Sequence, residues 1–286
     1  MNVFLECLPC NLRQAFEASQ MATGDRDLQI KIMDEAIDVI RRYREYPNSP
    51  AIAQQIHRIV RAHTGSADPY AEVKRRDLQK ALELLPGITR QVEEQEDRLY
   101  WALKAAAAGN AMDSAIGAGY DLSRFDTEVF RPFAVCDLPV LREKLRTAKS
   151  LLAIGDNTGE SVFDGLLLKQ FPQLKRTYAV RSAPVLNDVT EAEARASGIE
   201  AYAELLSTGC HAPGVLLAEC SEAFLTVFRH ADIVIAKGQG NYETLSDCPR
   251  DIFFLLKAKC PVISGLFGVG LNEYVFRASD PNRSSN

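Results

Sequence analysis

The rhythm of apolar positions along this chain changes near residue 120. Before that point they recur at helical spacing, which predicts helices over 11–22, 27–44, 50–64, 70–85 and 88–108. The last is the clearest. Val92, Leu99 and Leu103 fall near one face, the Glu, Gln, Arg and Ala between them favour a helix, and Gly109 stops it. Breakers separate the segments at Tyr46-Pro47-Asn48-Ser49-Pro50, Gly65-Ser66 and Pro86-Gly87. After residue 120 the apolar residues gather into short runs at 150–155, 176–181, 215–218, 232–236, 251–256 and 261–264, which read as buried strands. Helix-like pieces at 139–148, 160–171, 190–206 and 221–230 lie between them. Such alternation predicts βαβ units and a mostly parallel sheet. The expected organisation is a helical region over 1–120, an α/β domain over 121–278 and a frayed polar tail over 279–286.

Composition narrows the partners. The 286 residues are enough for a sizeable core in one large domain or two ordinary ones. A net charge of -5 without a basic run gives nucleic-acid binding no electrostatic support. No apolar stretch approaches the roughly 20 residues that span a bilayer. The opening MNVFLECLPCNLRQ carries no basic leader, so the expectation is a cytoplasmic protein with no membrane partner. Seven cysteines are an odd count and argue against a secreted disulfide framework.

The candidate chemistry sits at three strand ends. LLAIGDNTGE (151–160) runs from an apolar strand into a polar turn ahead of a helix, the place where open α/β sheets bind ligands. Asp156 and Asn157 offer a carboxylate and an amide oxygen side by side, suited to a hard divalent ion. Read alone, either residue serves equally well as a helix cap. Asn187-Asp188 follows a second strand. Thr190 with Glu193 forms a capping box there that has no need of Asp188, and so leaves this carboxylate available. Asp156, Asn157 and Asp188 would then converge as three ligands, with open positions for water and substrate. The third strand end, KGQGN (237–241), places Lys237 before a turn whose Gly238 and Gly240 let backbone amides approach an anion. It is not a P-loop, because GxxxxGK[ST] is absent.

Other stretches stay open on the residues alone. Ser207 and Thr208, in STGCHAPG (207–214), line a phosphate site or form a plain loop. Cys210 beside His211 is a poor nucleophile pair, since such partners usually meet through the fold. Asn110 and Asp113, in GNAMD (109–113), end a helix or reach the site. Cys7-Leu8-Pro9-Cys10 is half of a zinc site, with Cys260 a distant candidate partner, or simply two half-buried thiols.

Seven stretches, in this order, resemble the metal-dependent damage-control phosphatases: CLPCNLRQA (7–15), GNAMD (109–113), GDNTGE (155–160), NDVT (187–190), STG with PG (207–214), KGQGNYE (237–243) and FFLLKAKCPV (253–262). That family includes the ARMT-like proteins and the phosphatase domain appended to some pantothenate kinases, and this chain looks most like its short prokaryotic branch. The resemblance implies an N-terminal helical region and a three-layer α/β/α, Rossmann-like domain. It implies a metal on Asp156, Asn157 and Asp188, phosphate at Lys237 and the Gly238–Gly240 turn with Asn241, and pocket roles for Asn110 and Asp113. Thr158 stands where the family often has alanine, and His211 at a variable position.

The expected activity is therefore metal-dependent hydrolysis of a small phosphorylated metabolite, a sugar phosphate or a damaged phosphometabolite. Mg²⁺, Mn²⁺, Co²⁺ or Ni²⁺ all suit an Asp-Asn-Asp set. Water is the expected nucleophile, since a metal-bound carboxylate is a poor one and the DxDxT pattern is missing. Glu160 is the candidate base, or a cap of its helix. Two readings from other classes stand beside this one: an S-adenosylmethionine-dependent methyltransferase, for which no GxGxG loop follows the first strand, and a non-catalytic phosphate-ester-binding protein.

Overall fold

A computed structural model describes residues 1–109 and 125–279. Seven strands, β1 (Phe133–Cys136), β2 (Ser150–Ile154), β3 (Lys175–Val180), β4 (Glu204–Ser207), β5 (Ile233–Lys237), β6 (Phe253–Lys257) and β7 (Tyr274–Ala278), form one sheet in the order β1-β7-β6-β5-β2-β3-β4. From β6 to β4 the pairing is parallel. β7 turns back antiparallel to β6, and β1 runs with β7.

Alternate side chains of each strand enter different cores, as the pleat requires. Leu151 and Ala153 of β2, with Ile233 and Ile235 of β5, pack under α4 (Ala71–Glu93), α5 (Arg98–Gly109) and α8 (Thr158–Leu168). Leu152 and Ile154, with Val234 and Ala236, pack against α10 (Glu222–His230), α11 (Gly238–Leu245) and α12 (Pro261–Phe267) on the other face. The result is a three-layer α/β/α arrangement. The alanine run 105–108 of α5 is fully buried, because small side chains let this helix lie close against α8. α1 (Cys7–Ala22), α2 (Arg26–Arg41) and α3 (Ser49–Thr64) share a separate core around Ile32, Ile52 and Ile56, which also takes in Leu186. Among the described residues, no helix is long and apolar enough to cross a membrane.

Several elements differ from the sequence reading. α4 runs through Pro86-Gly87 to Glu93, with Ala81, Ile88 and Val92 buried along it. Burial of that face outweighs the roughly 3 kcal/mol that an interior proline costs. The break falls at 94–97 instead, where Asp97 Oδ1 accepts the backbone N–H of Tyr100 at 3.1 Å. The apolar run 261–264 is the start of α12, with Pro261 in its first turn, and 215–218 is not a strand. Segment 190–206 divides into α9 (Glu191–Ala196), which keeps the Thr190–Glu193 capping box, and the start of β4. β1 and β7 were not expected at all.

Candidate active site

The strand order reverses between β2 and β5. From β2 the chain moves outward through β3 to β4, then returns to the other side of β2 for β5 and β6. Loops that part at such a switch point leave a crevice at the carboxyl ends of the strands. Here one loop carries Asp156 and Asn157, and the other side is the start of α11. The two meet closely. Gly238 has φ 78°, and a Cβ there would come within 1.9 Å of Asp156 Oδ2. Glycine is the residue that permits both the left-handed backbone and the contact.

Asp156, Asn157 and Asp188 line one cleft of about 240 Å³, together with Asn187, Lys259, Gln239 and Gly240. The loops that carry them are laced by backbone bonds. The Thr158 N–H donates to the Asn187 carbonyl at 2.8 Å, the Val189 N–H donates to the Asp156 carbonyl at 2.7 Å, and Asn157 and Asp188 form an antiparallel bridge. Asn157 occupies the N-cap position of α8, yet its side chain makes no capping bond. Its Nδ2 donates instead to Glu160 Oε2 at 3.4 Å, which fixes the amide orientation and turns Oδ1 the other way.

Each partner of this group is itself held. Arg181 Nε donates to Asp188 Oδ2 at 2.7 Å, and the same guanidinium donates to Asn241 Oδ1 at 3.1 Å. Asn241 Nδ2 donates in turn to the carbonyls of Gly155 (3.1 Å) and Lys237 (2.7 Å), joining the ends of β2, β3 and β5. Burial works against the Arg181 charge, but the carboxylates of Asp188 and Asp156 outweigh it and hold the guanidinium protonated. Burial, then the facing carboxylates of Asp188 and Glu160, push the Asp156 carboxyl well above the ordinary range, while Arg181 and Lys259 pull the other way.

Lys237 is not in the cleft wall. Its ammonium donates to the carboxylates of Asp164 and Glu160 and, at 3.1 Å, to the Ala106 carbonyl, and Tyr178 caps the other Asp164 oxygen at 2.7 Å. Where the sequence reading expects Lys237 at a phosphate, the structure places its ammonium in a buried ion pair behind the cleft. Among the described residues the cation lining the cleft is Lys259. Glu160, in the first turn of α8, is fully buried between Asn157 and Lys237 and does not line the cleft.

Ser207 and Thr208 do not line the cleft either. Ser207 Oγ accepts the Gly209 N–H at 3.2 Å, and Thr208 Oγ1 donates to the Cys210 carbonyl at 3.0 Å. Their loop reaches the site through Pro213, whose carbonyl oxygen would lie 2.0 Å from a Cβ at Gly240. Asn241 serves as the tie just described, and Asn110 and Asp113 lie outside the described residues. Cys7 and Cys10 open α1 and line the cleft with Cys260, the residue before α12. Among the described residues no group of three or more His, Cys, Asp or Glu side chains is disposed to hold a metal ion.

The Asp156–Asn157–Asp188 set offers two carboxylates and an amide. Its hard oxygen donors, the buried repulsion between Asp156 and Asp188 and the glycine cradle around Asp156 fit a hard divalent cation. The sequence reading missed Arg181, Asp164 and Lys259. Arg181 ends β3 and obeys the same strand-end rule that singled out Asp188, and Asp164 follows Glu160 by one helical turn, two signals that were present in the sequence.

Comparison with known proteins identifies the family and the fold. A family model described as the damage-control phosphatase ARMT1-like domain matches residues 3–275. The damage-control phosphatase PH1575 of Pyrococcus horikoshii is 32% identical, over 92% of this chain and 93% of that one. A damage-control phosphatase of Archaeoglobus fulgidus is 32% identical, over 94% and 96%. The crystal structure of the Pyrococcus horikoshii protein, described as a member of the DUF89 family, superposes with a TM-score of 0.90 at 30% identity, covering 98% of this chain and 100% of that one. By its sequence and by its fold, the chain belongs to the ARMT1-like damage-control phosphatase family.

Proposed function

We propose that the cleft is the active site of a metal-dependent phosphatase acting on small phosphate esters. The observation that carries the reading is the convergence of Asp156, Asn157 and Asp188 at the β2–β5 switch point, with Arg181 and Glu160 orienting two of the three side chains. In this reading those three residues hold a divalent ion, which supplies charge stabilisation for the phosphoryl oxygens and lowers the pKa of attacking water. Lys259 holds a phosphate oxygen as a point charge. The N–H groups of Gln239 and Gly240, at the start of α11, offer further donors. Arg181 holds Asp188 in place, and Glu160 keeps the Asn157 oxygen aimed at the ion. Lys237 pairs with both buried carboxyl groups, Glu160 and Asp164, and offsets the cost of their burial. Water is the nucleophile, since Asp156 is occupied as a ligand.

The test is a calorimetric titration of Mn²⁺ into metal-stripped protein, with Asp156→Ala and Asp188→Ala alongside. One site in the wild-type protein, lost in both variants while their circular dichroism stays native, supports the assignment. Unchanged binding in either variant removes that residue from the ligand set. If Asp156→Ala binds the ion normally yet loses turnover, the carboxylate is the nucleophile instead.

A further inference from the structure

Two of the seven cysteines meet outside the cleft. Cys210 and Cys220 are free thiols near the two ends of a loop that runs from Thr208, after β4, to Ser221, before α10. The ends of that loop lie side by side. The Ser221 N–H donates to the Thr208 carbonyl at 2.9 Å, and a Cβ on Gly209 would come within 2.6 Å of the Ser221 nitrogen. Cys210 is fully buried with Ala51, Ala212 and Leu216, and the half-buried Cys220 packs against the same group. Their thiols hydrogen-bond to one another, and that contact holds Cys210 below the ordinary cysteine pKa and Cys220 above it. Burial instead raises the thiols of Cys7, Cys10, Cys136 and Cys248. The loop is anchored on both sides. Gln54 Nε2 of α3 donates to Glu219 Oε2 at 2.6 Å, and the Ser182 N–H donates to the Cys210 carbonyl at 3.0 Å. Its middle reaches the cleft through Pro213, and a Cβ on Gly214 would come within 2.4 Å of the Gly240 carbonyl oxygen.

We propose that a peroxide oxidant joins Cys210 and Cys220 in a reversible disulfide, which closes the 210–220 loop and fixes Pro213 and Gly214 against the start of α11. A disulfide asks for neighbouring backbones, with Cα atoms about 5.5–6 Å apart. The pairing of Thr208 with Ser221 supplies that approach, and the thiol contact supplies the aim. The pair shares one proton, and its transfer to Cys210 leaves the thiolate on the more exposed Cys220. That sulfur attacks a peroxide oxygen: an S–O bond forms, the O–O bond breaks, and the leaving hydroxide takes a solvent proton as water. The Cys210 sulfur then displaces the hydroxyl, so that S–S forms, S–O breaks and the Cys210 proton departs with the second water. The two sulfurs lose two electrons and the peroxide gains them. None of these steps depends on what the cleft binds.

Reduced protein would be treated with hydrogen peroxide at neutral pH, unfolded in iodoacetamide and digested with trypsin. No Lys or Arg lies between Ala196 and Phe228, so both cysteines fall on one peptide, 196–229. The expected peptide is unalkylated and lighter by two hydrogens, and it takes two alkyl groups when dithiothreitol precedes the alkylation. In Cys220→Ser the same treatment should leave Cys210 open to alkylation. Backbone amides over 211–219 should exchange more slowly with deuterium in the oxidised protein, and regain their rate with dithiothreitol. A wild-type peptide still doubly alkylated after peroxide would overturn the pairing. So would one with Cys220 oxidised to a sulfinic acid while Cys210 is alkylated. Unchanged amide exchange in the disulfide form would overturn its effect on the loop.

Discussion

Gly238 and Asp156 share a space that admits only one side chain: a Cβ at position 238 would come within 1.9 Å of Asp156 Oδ2. The turn after β5 thus sets the position of the carboxylate after β2. Gly238→Ala adds left-handed strain of about 1–2 kcal/mol to that collision. The expected outcome is a lower Tm together with loss of Mn²⁺ binding, read by thermal denaturation and calorimetry. An alanine variant that binds Mn²⁺ like the wild-type protein would remove Asp156 from the ligand set.

Two lysines separate stability from turnover. Lys237→Met leaves Glu160 and Asp164 buried without their cation and should cost about 3–5 kcal/mol in urea denaturation. Lys259→Ala should change stability by less than about 0.5 kcal/mol, as for a partly exposed side chain. It should raise KM for a phosphate ester about tenfold, the scale of one charge-assisted hydrogen bond. The reverse pattern would return Lys237 to the phosphate.

Arg181 and Asp188 form a buried pair at 2.7 Å. Arg181→Met should destabilise by about 3–5 kcal/mol, because it strands the Asp188 charge. Adding Asp188→Asn should recover part of that loss, and a double-mutant cycle measures the coupling. Strict additivity would show that the pair does not act as a unit.

Glu243 gives the stability a pH signature. Burial lifts its carboxyl from 4.5 to about 7, the N-terminal ammonium pulling weakly the other way. The folded chain therefore holds this proton more tightly than the unfolded chain does. Its contribution is complete below pH 4.5, is lost as the pH rises toward about 7, and is constant beyond. Glu243→Gln should match the wild-type protein near about pH 4 and exceed it near about pH 8 in urea denaturation. A variant no more stable than wild type at the higher pH would contradict the assignment.

Much of the architecture was legible because burial is periodic. β2, β5 and β6 are nearly continuous apolar runs, as strands covered on both faces must be, and β3 is one only in its second half, Tyr178-Ala179-Val180. β1 is half-exposed at the sheet edge, and FAVC, though apolar, is only four residues long, too short a run to stand out. Pro261-Val262-Ile263-Ser264 has strand-like composition, and its proline in the first turn decides for helix. At the site, Asp156, Asn157 and Asp188 were legible because the strand ends of a parallel sheet converge. The buried pairing of Lys237 with Glu160 and Asp164 was not. A lysine at a strand end serves a phosphate or a buried carboxylate equally well, and the carboxylates that claim Lys237 come from α8, whose inward face only the fold reveals.

Phosphate release from a hexose monophosphate by metal-stripped protein, followed as Mn²⁺ is restored, tests the central claim most directly. The account predicts no release without metal, release that saturates with Mn²⁺, and none at any Mn²⁺ concentration from natively folded Asp156→Asn. Release by the stripped wild-type protein at its full rate, or undiminished release by Asp156→Asn, would contradict it.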